Sequence, residues 1–160
     1  MAIDVTAKTA ECTVSITRII DAPRALVFKM WTDAHHLAQW WGPRHFTNPV
    51  CELDVRVGGA ILIHMQAPDG VTYPMTGTFR EIVPPERLVF MAVAEDANGK
   101  ALLESLTTVT FAEQDGKTRL TVDAHAIGLA PIALQMLAGM EAGWTQSLDK
   151  LAELAMRACG

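Results

Sequence analysis

Apolar residues recur along this chain at two periods, and the switches between them mark its elements. Alternation comes first. "CTVSITRII" (12–20) puts Val14 and Ile16 on one side and predicts a strand. A helical period follows "DAP", with Val27, Phe28 and Trp31 on one stripe, Asp21 as the expected cap and Pro23 near the first turn. "TD" at 32–33 restarts a second short helix capped by Asp33. It carries Leu37, Trp40 and Trp41 at i, i+3 and i+4, until "GP" (42–43) stops it. Alternation then returns over 50–55, 60–66, 72–83, 87–94, 102–111 and 118–126. Between these strands stand "RVGG", "PDG", "PPE", "EDANGK" and "EQDGK", short turns that imply antiparallel hairpins. Residues 131–158 read as one long amphipathic helix. Leu134, Leu137, Trp144, Leu148, Leu151 and Ala155 form its apolar stripe, and Gln146, Lys150, Glu153 and Arg157 its polar one.

This order predicts an α+β fold: a curved antiparallel sheet wrapped around a long C-terminal helix, with two short helices after the first strand. Residues 1–11 are expected to be a tail and 12–158 a single domain. Two short helices cannot fill a sheet's whole concave face. A gap lined by apolar side chains is therefore expected between sheet and long helix.

Charge and cysteine usage narrow the partners. A net charge of −5 disfavours nucleic acid and anionic membrane surfaces. The three cysteines, Cys12, Cys51 and Cys159, have neither disulfide-framework nor zinc spacing. With no export signal and no apolar run long enough to span a bilayer, a reducing, cytoplasmic compartment is expected.

Candidate chemistry concentrates in "WTDAHHLAQWWGPRHF" (31–46), with three of the four tryptophans. Packing is the favoured reading, because two short helices need large anchors. His35 and His36 point about 100° apart on a helix and lack Cys, Asp or Glu partners at metal spacing, so no metal is expected. Strand parity turns His64 and His125 outward. It puts Arg18 on the side of Val14 and Ile16, where it would either anchor an acidic ligand or reach solvent. No nucleophile motif, phosphate loop or dinucleotide glycine pattern occurs, and no cofactor is expected. The inward set is Ile61, Ile63, Met65, Met75, Gly77, Phe79, Leu88, Phe90, Ala92, Val109, Phe111, Leu120 and Val122, almost free of polar groups. Ala60, Leu62, Val89, Met91 and Val93 put apolar side chains on the convex face, which suggests a homodimer through the sheet or cover by the N-terminal tail.

"APRALVFKMWTDAHHLAQWWGP", "LDVRVGG", "APDGVTYPMTGTFREIVPPERLVF" and the "GW" before "LDKLAELA" resemble the proteins similar to the activator of the 90-kDa heat-shock-protein ATPase, within the START/Bet v 1-like (SRPBCC) superfamily. The resemblance covers about residues 14–156. It implies a helix-grip fold with a cavity, and most often the binding of a hydrophobic small molecule. Some members of the superfamily are polyketide cyclases or aromatases, so a cyclase or hydrolase in the same cavity is the alternative. The eukaryotic activator binds its chaperone with an additional N-terminal domain not found in these residues, so a chaperone-partner role ranks third. Relatives often carry tryptophan where this chain has Ala92, which implies a roomier cavity. The positions expected to contact a ligand are Trp41, Phe46, Ile63, Met65, Phe79, Phe90, Ala92, Val109, Met140 and Trp144.

Overall fold

The structure, a computed structural model, describes residues 10–159. The expected tail lies outside the described residues up to residue 9, and Glu11 already belongs to the first strand. In chain order the elements are β1 (Glu11–Ile20), α1 (Arg24–Thr32), α2 (Ala34–Trp40), β2 (Thr47–Leu53), β3 (Ala60–Gln66), β4 (Thr72–Val83), β5 (Arg87–Glu95), β6 (Ala101–Gln114), β7 (Lys117–Gly128), α3 (Ala133–Ala138) and α4 (Met140–Cys159). The strands form one antiparallel sheet in the order β1-β7-β6-β5-β4-β3-β2. Consecutive strands pair through short turns, and β1 closes against β7.

Two helix ends depart from expectation. Pro23, not Asp21, is the N-cap of α1, and it makes no side-chain cap bond. Its fixed φ of −64° already points the chain into a helix, and its carbonyl accepts from the Leu26 and Val27 amides. The predicted long helix is two, α3 and α4, parted at Gly139 with φ −93° and ψ 0°. At this one residue the helix is interrupted, although the Gly139 amide still donates to the Gln135 carbonyl and the Gly143 amide to the Gly139 carbonyl. Leu134 is 65 % exposed, off the buried stripe where Leu148, Leu151 and Ala155 are fully buried.

Asp33 caps α2 as expected, accepting from the backbone amides of His35 at 2.9 Å and His36 at 3.3 Å. Asn48 on β2 closes the other end. Its side-chain amide donates to the carbonyls of Ala38 and Trp41, two of the groups a helix C-terminus leaves free.

The concave face of the sheet packs on α1, α2 and α4. Trp31 and Trp40, 2 % and 0 % exposed, sit at the centre. Trp40 meets Trp31 edge to face at 4.7 Å, and its indole N–H donates to the Met30 carbonyl at 3.0 Å. Trp31 also stacks on Trp144 of α4 and meets Phe111 edge-on. The tryptophan-rich segment is thus mainly a packing anchor. On the convex face Val89 is buried, contrary to expectation, whereas Ala60 is exposed and Leu62, Met91 and Val93 are half-buried. The Arg80 guanidinium lies over the Met91 sulfur.

Candidate functional site

The tryptophans fill one end of the space between sheet and α4. At the other end the facing side chains are small: Ala92 and Ala94 on β5, Ser105 on β6 and Gly143 on α4. Small residues facing small residues leave a cavity of about 210 Å³. Trp41, Phe90, Leu103 and Trp144 contribute its large apolar walls. Met65, Met75, Met136 and Met140 add four flexible thioethers from β3, β4, α3 and α4. Gly42 and Pro43 close one side, and α3 covers another through Met136.

The loop at Gly42 and Pro43 is tied to α4. The Arg44 amide donates to the Gln146 side chain at 3.0 Å, and the Lys150 ammonium donates to the Pro43 carbonyl at 3.2 Å. The Arg44 guanidinium pairs with Glu153 at 2.6 Å. That hydrogen bond holds the Glu153 carboxyl below its ordinary range. Burial, and then the nearby Arg44 charge, push the Lys150 ammonium downward. Gly42 has φ +91°, and a Cβ there would meet the Met65 sulfur at 2.9 Å, so glycine brings the loop close to the cavity wall.

Of the positions expected to contact a ligand, Trp41, Met65, Phe90, Ala92, Met140 and Trp144 line this cavity. Ile63 and Phe79 instead face a second void of about 20 Å³ beside Trp31. Val109 is fully buried in the core, beyond the reach of the lumen. Phe46 turns away after His45, whose φ is +72°, and meets Tyr73 at 6.1 Å. Arg18 is not among the lining residues and pairs with Asp149 of α4 at 2.5 Å. His125 lies on the outer face with Glu11 at 2.7 Å, and His64 is not among the lining residues.

Sequence reading missed the polar part of the wall. Ser105 and Thr107 share the inward parity of Val109, and Ser147 lies one helical turn beyond Gly143. Thr107 is 1 % exposed and Ser147 5 %. The Ser147 hydroxyl donates to the Gly143 carbonyl at 2.9 Å. The signal was available: extending the alternation back along β6 from Phe111 and Val109 reaches both hydroxyls. None of the lining side chains is an acid, base or thiol. Among the described residues no group of three or more His, Cys, Asp or Glu gathers as metal ligands, and no helix is long and apolar enough to cross a membrane.

A curved antiparallel sheet closed over a C-terminal helix, with a cavity between them, defines the START/Bet v 1-like class. Residues 21–156 match the model of one family in it, described as activator of Hsp90 ATPase homolog 1-like protein, and the chain belongs to that family. Solved structures agree. A protein of Chromobacterium violaceum is 30 % identical, with 89 % of this chain and 96 % of that one covered and a TM-score of 0.73. The AHSA1 protein of Silicibacter pomeroyi is 27 % identical over 91 % of this chain and 99 % of its own, at TM-score 0.75. A protein of Arthrobacter aurescens, solved in solution, is 26 % identical over 91 % and 86 %, at TM-score 0.77. No protein of the curated set matches this chain.

Proposed function

We propose that the protein binds an apolar or aromatic small molecule of one or two rings in the cavity between sheet and α4, as a binder and not as a catalyst. One observation carries this reading: a concave, mostly apolar lumen whose lining contains no titratable side chain. General acid–base catalysis needs such groups within hydrogen-bond reach of the reacting atom, so the lining favours holding a molecule over transforming it. Size supports the same reading. A cavity of roughly 150 Å³ takes benzene, and this one is about 210 Å³. Burying apolar surface yields ~25 cal/mol per Å², set against the cost of immobilising the ligand. Affinities in the micromolar range follow for compact rings.

Ala92 supplies the test. It is 5 % exposed and lines the lumen. Ala92→Trp should fill the cavity and lower affinity for a panel of one- and two-ring compounds at least tenfold, while the variant still folds. Tryptophan fluorescence titration, with circular dichroism as the folding control, makes the comparison. No saturable signal with the parent protein, or undiminished binding by Ala92→Trp, contradicts the proposal.

A further inference from the structure

We infer that the molecule this cavity takes is neutral and carries one oxygen function, a carbonyl or a hydroxyl, bound by Thr107 and Ser105; the inference rests on the binding role proposed above. Two observations select this chemistry. The first is the placement of the hydroxyls. Thr107 pairs across the sheet with Phe90 and Ala124, and Ser105 with Ala92 and Ala126. Ser105 thus has alanine on both sides, and both residues open onto the lumen. Ser147, on the helix side, is tethered to the Gly143 carbonyl. The Ser105 and Thr107 hydroxyls have no such tether among the described residues, so they remain free to donate. The Ser147 oxygen, its proton already committed, keeps acceptor capacity for a ligand hydroxyl. Covering a buried hydroxyl with hydrocarbon leaves it unpaired, which is unfavourable, and a ligand oxygen removes that cost.

The second observation is charge. No cation lines the cavity. Of the basic side chains that meet α4 or its loop, Arg44 pairs with Glu153 and Arg18 with Asp149, while the Lys150 ammonium is held outside the lining on the Pro43 carbonyl. A carboxylate or phosphate entering the lumen would lose its hydration without gaining a counter-charge.

Isothermal titration calorimetry with indane, 1-indanone and indane-1-carboxylate separates these terms, because the three share one ring body. With the parent protein, 1-indanone should bind at least tenfold more tightly than the carboxylate. Thr107→Val keeps the side-chain shape and deletes the hydroxyl. It should lower the ratio of indanone to indane affinity about tenfold, weakening indanone and sparing or improving indane. Ser105→Ala, at a half-buried position, should shift the same ratio in the same direction and serves if Thr107→Val folds poorly. An unchanged ratio in both variants, or a carboxylate bound as tightly as the ketone, overturns the inference and leaves the binding role standing. If none of the three compounds binds the parent, the binding role falls and this inference with it.

Discussion

Trp40 shows how much one side chain can hold. It is fully buried, meets Trp31 edge to face, and donates to the Met30 carbonyl at the far end of α1. Losing a buried tryptophan costs ~3–5 kcal/mol, out of the ~5–15 kcal/mol that stabilises a typical domain. Trp40→Ala should therefore unfold the protein or lower its urea midpoint steeply, and an unchanged midpoint would contradict its role as anchor. Trp31 is a different case: its indole N–H is buried without a partner among the described residues. Cys51 makes a second residue-scale prediction. It pairs with Ile63 on β3 and packs against the core, and burial raises its thiol pKa to about 11. The thiolate is the nucleophile. At pH 8 its fraction is then roughly a hundredfold or more below that of an ordinary thiol. Iodoacetamide should label Cys51 slowly in the folded protein and fast in urea, with mass spectrometry reporting the site. Rapid labelling in the native state would contradict the burial.

At the scale of elements, strand alternation and the hinge of short helices were legible, because each rests on local periodicity. Apolar residues at every second position of β7 specify its buried face, the larger inward side chains of β3 and β5 agree with it, and Ile61, Phe90 and Leu120 are buried on that side. The division of α3 from α4 was not legible. Gly139 sits inside an apolar stripe that continues on both sides, and only packing decides whether glycine bends or continues a helix. The reach of the lumen was equally hidden. Parity says that Ile63, Phe79 and Val109 face inward, but not that Trp31 and its neighbours already fill the space before them. Gly77 tests the sheet. It pairs with Ala92 on β5, and a Cβ there would stand 2.1 Å from the Met91 carbonyl oxygen. Backbone must shift to admit it, so Gly77→Ala should cost at least ~2 kcal/mol in urea unfolding. A variant as stable as the parent would show that the strands separate more easily than this packing implies.

For the whole molecule, the grip of the sheet on α4 is uneven, and that unevenness creates the site. Large rings close one end, while alanine, serine and glycine leave the other open under a cover of methionines. Four of the chain's eight methionines line the lumen, whereas Met30, Met91 and Met156 do not. This distribution allows a direct test of the claim that the cavity receives a small molecule. Protein labelled with ¹³C at the methionine methyls is titrated with 1-indanone and followed by NMR. The methyl resonances of Met65, Met75, Met136 and Met140, assigned by single Met→Leu substitutions, should shift together along one saturable curve while those of Met91 and Met156 stay in place. Unmoved lumen methyls at saturating compound, or shifts confined to Met91 and Met156, would contradict the account.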